Sequence, residues 1–324
     1  MVTGGAGFIG SNVVAALTDE DRYDVAVCDR LLTTDLEKWR NLAPYPLADF
    51  IAPEALAAWL DGNAGALHAV VHMGAVSSTT ETDADLIVQS NFGLSRDLWR
   101  WCAQNGTPLI YASSAATYGN GSEGFSDSND VAHLLRLKPL NAYGWSKAAF
   151  DVWAVRQAEA GAAPPRWFGL KFFNVYGPHE QHKGPQRSVA HQIWPQASRG
   201  ETVKLFKSYR RDYPHGGQRR DFVYVKDCAA VIAWMVQGGG RSGVYNLGTG
   251  QARSFADLAR AAFAAAGREP VIEYIDMPET LRDKYQYFTQ ADMTRLRASG
   301  WNAPFMSLED GVAAYGAWLA AREG

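Results

Sequence analysis

The chain of 324 residues sets 31 Lys and Arg against 34 Asp and Glu, for a formal net charge of -3, with 47% hydrophobic and 20% charged residues. This balance gives no global basic field to attract nucleic acid or an anionic membrane, and no run reaches the ~18 apolar residues of a membrane span. The cysteines, Cys28, Cys102 and Cys228, are scattered without a CxxC pair, which argues against a disulfide framework and against a zinc site.

The N-terminus opens directly into glycines, without the basic and apolar regions of a signal peptide, so a cytoplasmic protein is expected. In chain order, β-rich runs at residues 25–29, 69–72, 108–112 and 167–172 alternate with helical patterns at 11–17, 54–60, 85–103 and 143–159. Such alternation predicts an α/β fold, a Rossmann-type doubly wound parallel sheet with helices on both faces. After residue 177 the composition turns to Pro, Gly, His and Arg, with a helical pattern at 189–197 and a stretch without periodicity at 208–218. A loop of that length in a compact enzyme is often functional. Strand pattern resumes at 220–225, followed by helical patterns at 225–235, 254–266 and 308–320. Residues 1–170 are expected to form the Rossmann domain, with later returns such as 220–250. Residues 171–324 would form mostly a smaller C-terminal α/β substrate-binding lobe.

Gly4, Gly7 and Gly10 form a GxxGxxG loop, with Phe8 and Ile9 inside it, between a strand and a helix. Glycine permits the tight turn and the close approach of backbone to a pyrophosphate, and the helix N-terminus then faces the phosphates. Asp29 follows the second strand about 20 residues on, where an acid bonds the adenosine ribose. Arg30 and Lys38 stand beside it. Cations there favour the 2′-phosphate of NADP, with NAD the alternative and solvated surface charges the other reading of the pair.

Tyr143 and Lys147 are spaced i, i+4 on a helical pattern and therefore share a face. A phenol is a poor base at its free pKa near ~10; a neighbouring ammonium favours the phenolate and lowers that value. Tyr143 can then exchange a proton with a substrate alcohol. Ser114 lies at the end of the preceding strand, the ligand edge of such a sheet, and can hold the reacting oxygen. No HxxxH or HExxH pairing occurs, so no metal site is expected, and hydride chemistry needs none.

The glycine loop, Asn91, residues 111–119 (YASSAATYG), the YxxxK pair and residues 173–178 (FNVYGP) resemble the extended short-chain dehydrogenase/reductases nearly end to end. Further segments are similar to the ADP-L-glycero-D-manno-heptose 6-epimerase family: residues 72–81 (HMGAVSSTTE), 182–184 (HKG), 204–206 (KLF), 220–225 (RDFVYV), 245–250 (YNLGTG) and 288–292 (FTQAD). Two departures are Met73, where that family often has Glu, and a longer insert at 209–218.

The resemblance implies one NADP per subunit, tightly held, and an ADP-heptose substrate inverted at C6″ through a transient 6-keto sugar. It implies cofactor contacts from Gly74, Ala75, Val76, Ser77, Asn91, Lys147 and Val175. Lys183 is implied as the second acid/base beside Tyr143, a role that suits a partly desolvated lysine. Asn174, Phe206, Arg220 and Tyr285 are implied on the sugar nucleotide. Arg220 could instead pair with Asp221 or Asp227, Tyr285 could be a packed aromatic, and Ser77 could be a turn residue. A homo-oligomer is expected through helices 85–103 and 143–159, as the superfamily often associates there. Two other readings are another nucleotide-sugar epimerase or reductase of the superfamily and a non-catalytic NAD(P)-binding sensor. Dehydratases of this group carry an Asp-Glu pair beside the catalytic hydroxyl; here Ala115, Ala116 and Thr117 follow Ser114. A sensor would be expected to lose Tyr143 or Lys147.

Overall fold

The structure, a computed structural model, describes residues 1–19, 23–31, 38–79, 81–282 and 285–323; Thr80 of the 72–81 segment lies outside them. In chain order the strands are β1 (Val2–Thr3), β2 (Ala26–Cys28), β3 (Asp49–Ile51), β4 (Val70–His72), β5 (Leu109–Ser114) and β6 (Trp167–Phe172). They continue with β7 (Asn174–Tyr176), β8 (Val203–Phe206), β9 (Arg219–Tyr224), β10 (Gly243–Leu247), β11 (Ala252–Ser254) and β12 (Ile272–Ile275). The helices are α1 (Phe8–Thr18), α2 (Leu56–Gly62), α3 (Ala84–Ile87), α4 (Leu94–Gln104), α5 (Val131–Arg136) and α6 (Ala142–Glu159). After them come α7 (Val189–Arg199), α8 (Val225–Val236), α9 (Phe255–Ala265), α10 (Glu279–Arg282), α11 (Thr294–Ala298) and α12 (Leu308–Glu323).

Among the described residues a seven-stranded sheet has the order β10-β6-β5-β4-β1-β2-β3, every pair parallel. Strands buried on both faces need continuous apolar sequence, and β2, β4 and β6 are buried at every position. Helix α1 packs with α8, and α6 with β5 and α4. The order reverses at β1: β2 lies on one side and β4 on the other. A doubly wound sheet opens its ligand crevice at such a switch point, beyond the carboxyl ends of the strands.

A second hydrophobic core gathers Tyr176, Trp194, Leu205, Phe222, Phe263 and Tyr315 around the sheet β11-β9-β7, the parallel pair β12-β8, and α7, α9 and α12. The stretch 208–218 holds no regular structure, as its lack of periodicity implied. The helix expected over 85–103 is broken: α3 ends at Ile87, Val88–Gly93 forms a π-helical turn, and α4 resumes at Leu94. Such wide turns tend to occur at functional sites. This one carries Asn91, which is fully buried.

Candidate active site

The carboxyl ends of β1, β2 and β4 meet around the glycine loop. Gly4 turns at φ +64°, and a Cβ there would come within 2.6 Å of Gly74 N. At Gly10 a Cβ would fall 2.1 Å from the Gly4 oxygen. These clashes are what the glycines avoid, so the loop and the β4 edge can close on one another. Gly7 caps α1 without a side-chain hydrogen bond, which leaves the first-turn N–H groups for an anion. Asp29 accepts the Ala6 N–H at 2.8 Å on one oxygen. Its other oxygen takes Lys38 Nζ at 2.6 Å and the Arg30 N–H at 2.7 Å. The Arg30 guanidinium turns outward to Glu54, and both side chains are exposed.

Gly4, Gly7, Phe8, Ile9, Gly10, Asp29 and Lys38 line a cavity of about 450 Å³, joined by Gly74, Ala75, Ser77 and Lys183. Met73, Ala112, His182 and Gln186 complete its wall, and sequence reasoning had placed neither Ala112 nor Gln186 there. The departure at Met73 therefore falls on the cavity itself. Arg30, Val76, Asn91, Lys147 and Val175 are not in the wall. Asn91 instead holds both polar groups of Val76, accepting its N–H at 2.8 Å and donating to its carbonyl at 2.9 Å. It also donates to Ser146 Oγ at 3.1 Å, and Ser146 donates to the Tyr143 carbonyl at 2.7 Å. Asn91 thus ties the β4 loop to the first turn of α6. Beneath this loop His72 is buried and held near pKa 3, first by burial and then by Lys147. Its hydrogen-bond pattern fits a neutral ring, with Thr3 at 2.6 Å and Ser95 at 2.9 Å.

Tyr143 lies in the first turn of α6, which is capped by the Asn141 side chain accepting from the Gly144 N–H. Its phenol is hydrogen-bonded to Ser114; burial raises its pKa and the Ser114 bond draws it down. Lys147, one turn further, is buried, and burial lowers its ammonium to about 8 against the upward pull of Asp151. Asp151 is itself fully buried. It accepts from Tyr111 at 3.0 Å, Ser113 at 2.7 Å and Lys171 at 2.7 Å. Lys171 also donates to Thr117 at 2.8 Å, and Thr117 to the Ser114 carbonyl at 2.8 Å. The signal for Asp151 was present in its spacing, i+4 from Lys147 and i+8 from Tyr143. A lysine inside a strand gave Lys171 no comparable signal.

A second group gathers in the other lobe. The Arg220 guanidinium lies over Phe255 at 5.6 Å and over Tyr285 at 5.4 Å, with the residue 9% exposed. Among the described residues no carboxylate pairs with it: Asp221 accepts from Thr249, Gly250 and Ala291, and Asp227 from Met306. Phe206 meets Tyr285 edge-on at 6.3 Å. Asn174, exposed at the start of β7, faces Thr289 at 3.4 Å. Gln286 donates to the Gly119 carbonyl at 2.7 Å, which brings the Tyr285 segment beside the Ser114 turn. The 208–218 stretch leans on the same segment: the Tyr209 N–H donates to Tyr287 Oη at 2.9 Å. Arg210 lies 5.2 Å from both the Tyr213 and the Tyr287 rings.

Lys183 stands in the glycine-loop cavity, its Nζ 5.4 Å from the centre of the Phe8 ring. Burial lowers its pKa, and Glu180 raises it. The segment that carries it is anchored through Asn41, fully buried, whose amide nitrogen donates to the Ala6 carbonyl at 3.0 Å and reaches the His179 carbonyl at 3.3 Å. His179 takes a positive φ of 74°, uncommon outside glycine. Nothing in the sequence pointed to Asn41.

Residues 1–248 match the NAD dependent epimerase/dehydratase family. The chain is 50% identical over 317 residues to an ADP-L-glycero-D-manno-heptose-6-epimerase of Nitratidesulfovibrio vulgaris, covering 97% of this chain and 96% of that one. Its fold is similar to the crystal structure of the Helicobacter pylori ADP-L-glycero-D-manno-heptose-6-epimerase, with TM-score 0.79 and 28% identity over 99% of this chain and 95% of that one. It is also similar to the Thermus thermophilus UDP-glucose 4-epimerase in complex with NAD, with TM-score 0.74 and 27% identity over 98% and 97% of the two chains.

Proposed function

The chain belongs to the NAD dependent epimerase/dehydratase family, and we propose that within it the protein interconverts ADP-D-glycero-β-D-manno-heptose and ADP-L-glycero-β-D-manno-heptose. The observation that carries the substrate is the 50% identity, over nearly the whole chain, to the relative of that name. The geometry supports the reaction type, because two proton-handling groups stand on different elements: Tyr143 on α6, and Lys183 in the wall of the cofactor cavity.

The cavity fits a dinucleotide. Its glycine cradle would be filled by any Cβ, α1 offers free N–H groups to a pyrophosphate, and Asp29 is at the ribose position. A nicotinamide cofactor held by these residues would supply reversible hydride transfer at C6″. NADP is our reading over NAD, supported by Lys38 in the wall next to Asp29; Arg30, turned to Glu54, supports it less. Tyr143 takes the proton of the C6″ hydroxyl as that carbon becomes a ketone, and Ser114 donates a hydrogen bond to its oxygen. The keto sugar then presents its other face, and Lys183 supplies the proton to the re-forming alcohol. Hydride and proton leave and return in equal number, so no external reductant is needed. Arg220 binds the diphosphate, and Phe206, Tyr285 and Asn174 border the nucleotide and sugar. A nearly buried guanidinium that no carboxylate among the described residues pairs with is suited to phosphate.

Incubating the purified protein with ADP-D-glycero-β-D-manno-heptose and no reductant tests this reading by NMR. Inversion at C6″ without net change in nicotinamide absorbance is expected; a bound cofactor with no turnover would redirect the assignment to another sugar nucleotide. We also read the protein as a homo-oligomer through α3 and α6, which pack together and expose Leu86 (41%) and Trp145 (52%). Apolar side chains of this size left open on adjacent helices suit a self-complementary face. Sedimentation of the purified chain should give a multiple of its mass, and Trp145→Glu should return it to the monomer.

A further inference from the structure

We propose that Glu180 is the positioning residue of Lys183: its buried carboxylate closes the 177–188 loop at the base and sets the charge environment of the lysine at its tip. This rests on reading Lys183 as the second acid/base.

The loop joins β7 to α7. Residues 181–186 make 3-10 turns, kinked at Gly184 with φ +54°. Asn41 anchors the loop from outside, and one side chain of its own joins its first residue to its last. Glu180 is 1% exposed. It accepts from the Gly177 N–H at 3.3 Å before it and from Ser188 Oγ at 2.7 Å and the Ser188 N–H after it. Ser188 is in turn the N-cap of α7. A relay stands behind the carboxylate. Arg187 donates to His191 Nε2 at 3.2 Å, and His191 Nδ1 lies 2.6 Å from Tyr315 Oη. Tyr315 is hydrogen-bonded to Glu180. With Nε2 accepting, Nδ1 carries the proton and donates to Tyr315, whose own proton goes to Glu180. A neutral His191 is required, and burial, with Arg187 beside it, holds that ring near pKa 4. The chain of donors is therefore consistent from Arg187 to the carboxylate.

Every hydrogen-bond partner of this side chain is a donor and both oxygens are used, one by the Gly177 N–H and Ser188 Oγ and the other by the Ser188 N–H, so the site calls for a carboxylate and not for an amide, whose nitrogen would face a donor. The charge has a counterpart at Lys183, whose N–H donates to the Glu180 carbonyl at 3.0 Å. Around Lys183 stand His182 on its own loop, the Phe8 ring of α1, and Lys38 and Asp29 across the cavity. The group that opposes the effect of burial on its ammonium is Glu180.

Competitive acylation of the holoenzyme over a pH series, read at Lys183 by peptide mass spectrometry, tests this without relying on turnover. In Glu180→Gln the midpoint of Lys183 labelling should move to lower pH by about one unit, and Glu180→Asp, which keeps the charge, should restore most of it. An unchanged midpoint in a folded, cofactor-bound Glu180→Gln protein would overturn the proposal. Should that variant fail to fold, Ser188→Ala loosens the closure and keeps the charge. Faster labelling of Lys183 at fixed pH is then expected, and an unaltered rate would refute the positioning role. If the labelling midpoint moves in Glu180→Gln while the pH profile of epimerisation stays fixed, Glu180 still governs Lys183, and it is the acid/base reading of Lys183 that fails.

Discussion

Tyr143 and Lys147 lie one turn apart on α6, a spacing at which an ammonium favours the phenolate. Burial raises the phenol's pKa and lowers the ammonium's to about 8. Below that pH Lys147 holds its proton, and its charge favours the phenolate; above it the charge is lost and the phenolate loses its partner. The alkaline limb of kcat/KM should therefore fall through about pH 8. Replacing Lys147 by Met removes the cation and raises the Tyr143 pKa further, so the acid limb should shift to higher pH by a unit or more. The neutral-pH rate should drop by about 10²- to 10⁴-fold. A pH–rate series on the two proteins checks both signs, and an acid limb that stays in place would remove Lys147 from control of the phenol. These residues were legible because spacing carried them: glycines at i, i+3 and i+6, and Tyr-Lys at i, i+4. Asn41 and Lys171 were not, because each acts through long-range hydrogen bonds, 35 residues apart in the Asn41–Ala6 case, and Glu180 bonds Gly177 and Ser188 inside a loop, where no helix or strand period singles it out. Local periodicity holds no record of such contacts.

Elements were most legible where one period runs unbroken. Strand β6 and helix α6 fall where alternation and helical spacing put them, at Trp167–Phe172 and Ala142–Glu159. Strands β3 and β7 are three residues each, too short to show a period, and β8 and β12 need one another as partners. The π-helical turn at Val88–Gly93 inserts no residue type that sequence reading could recognise. The 208–218 stretch was legible as a loop but not as a wall. It is tied at Tyr209 to Tyr287 and to Asp276, the latter at 3.0 Å, and its Arg210 lies against Tyr213 and Tyr287. Tyr287 meets Tyr285 edge-on at 5.8 Å, and Tyr285 meets Arg220. A continuous stack thus runs from the insert to the proposed diphosphate group. Cutting it with Arg210→Ala and Tyr213→Ala together removes contacts worth about 1–2 kcal/mol. KM for the sugar nucleotide should rise about 5- to 30-fold with kcat nearly unchanged, since no reacting atom is touched. Steady-state kinetics decide it: a fall in kcat at constant KM would place the insert in the chemistry instead.

At the scale of the whole molecule, the edge that carries Ser114 and Tyr143 is held by a charge pair at the centre of the larger core. Asp151 and Lys171 have fully buried side chains 2.7 Å apart. One lies on α6, and the other lies on β6, whose register sets Lys171 beside Ser113. The pair and its bonds to Tyr111, Ser113 and Thr117 join α6 to the turn that presents Ser114. Taking two ions out of water costs about as much as their attraction returns, so the pair by itself adds little net stability. Removing one partner is different, because it leaves an uncompensated buried charge. Asp151→Asn should lose about 3–5 kcal/mol in chemical denaturation. The double variant Asp151→Leu with Lys171→Met, which removes both ions, should regain most of that loss. If the pair's purpose is to fix Ser114 against Tyr143, the double variant will be stable yet slow: a misplacement of about 1 Å at a reacting group can cost about 10²-fold in rate. Stability recovered together with full kcat would mean that the ions serve the fold alone, and that packing without charge is enough to hold the catalytic set in register.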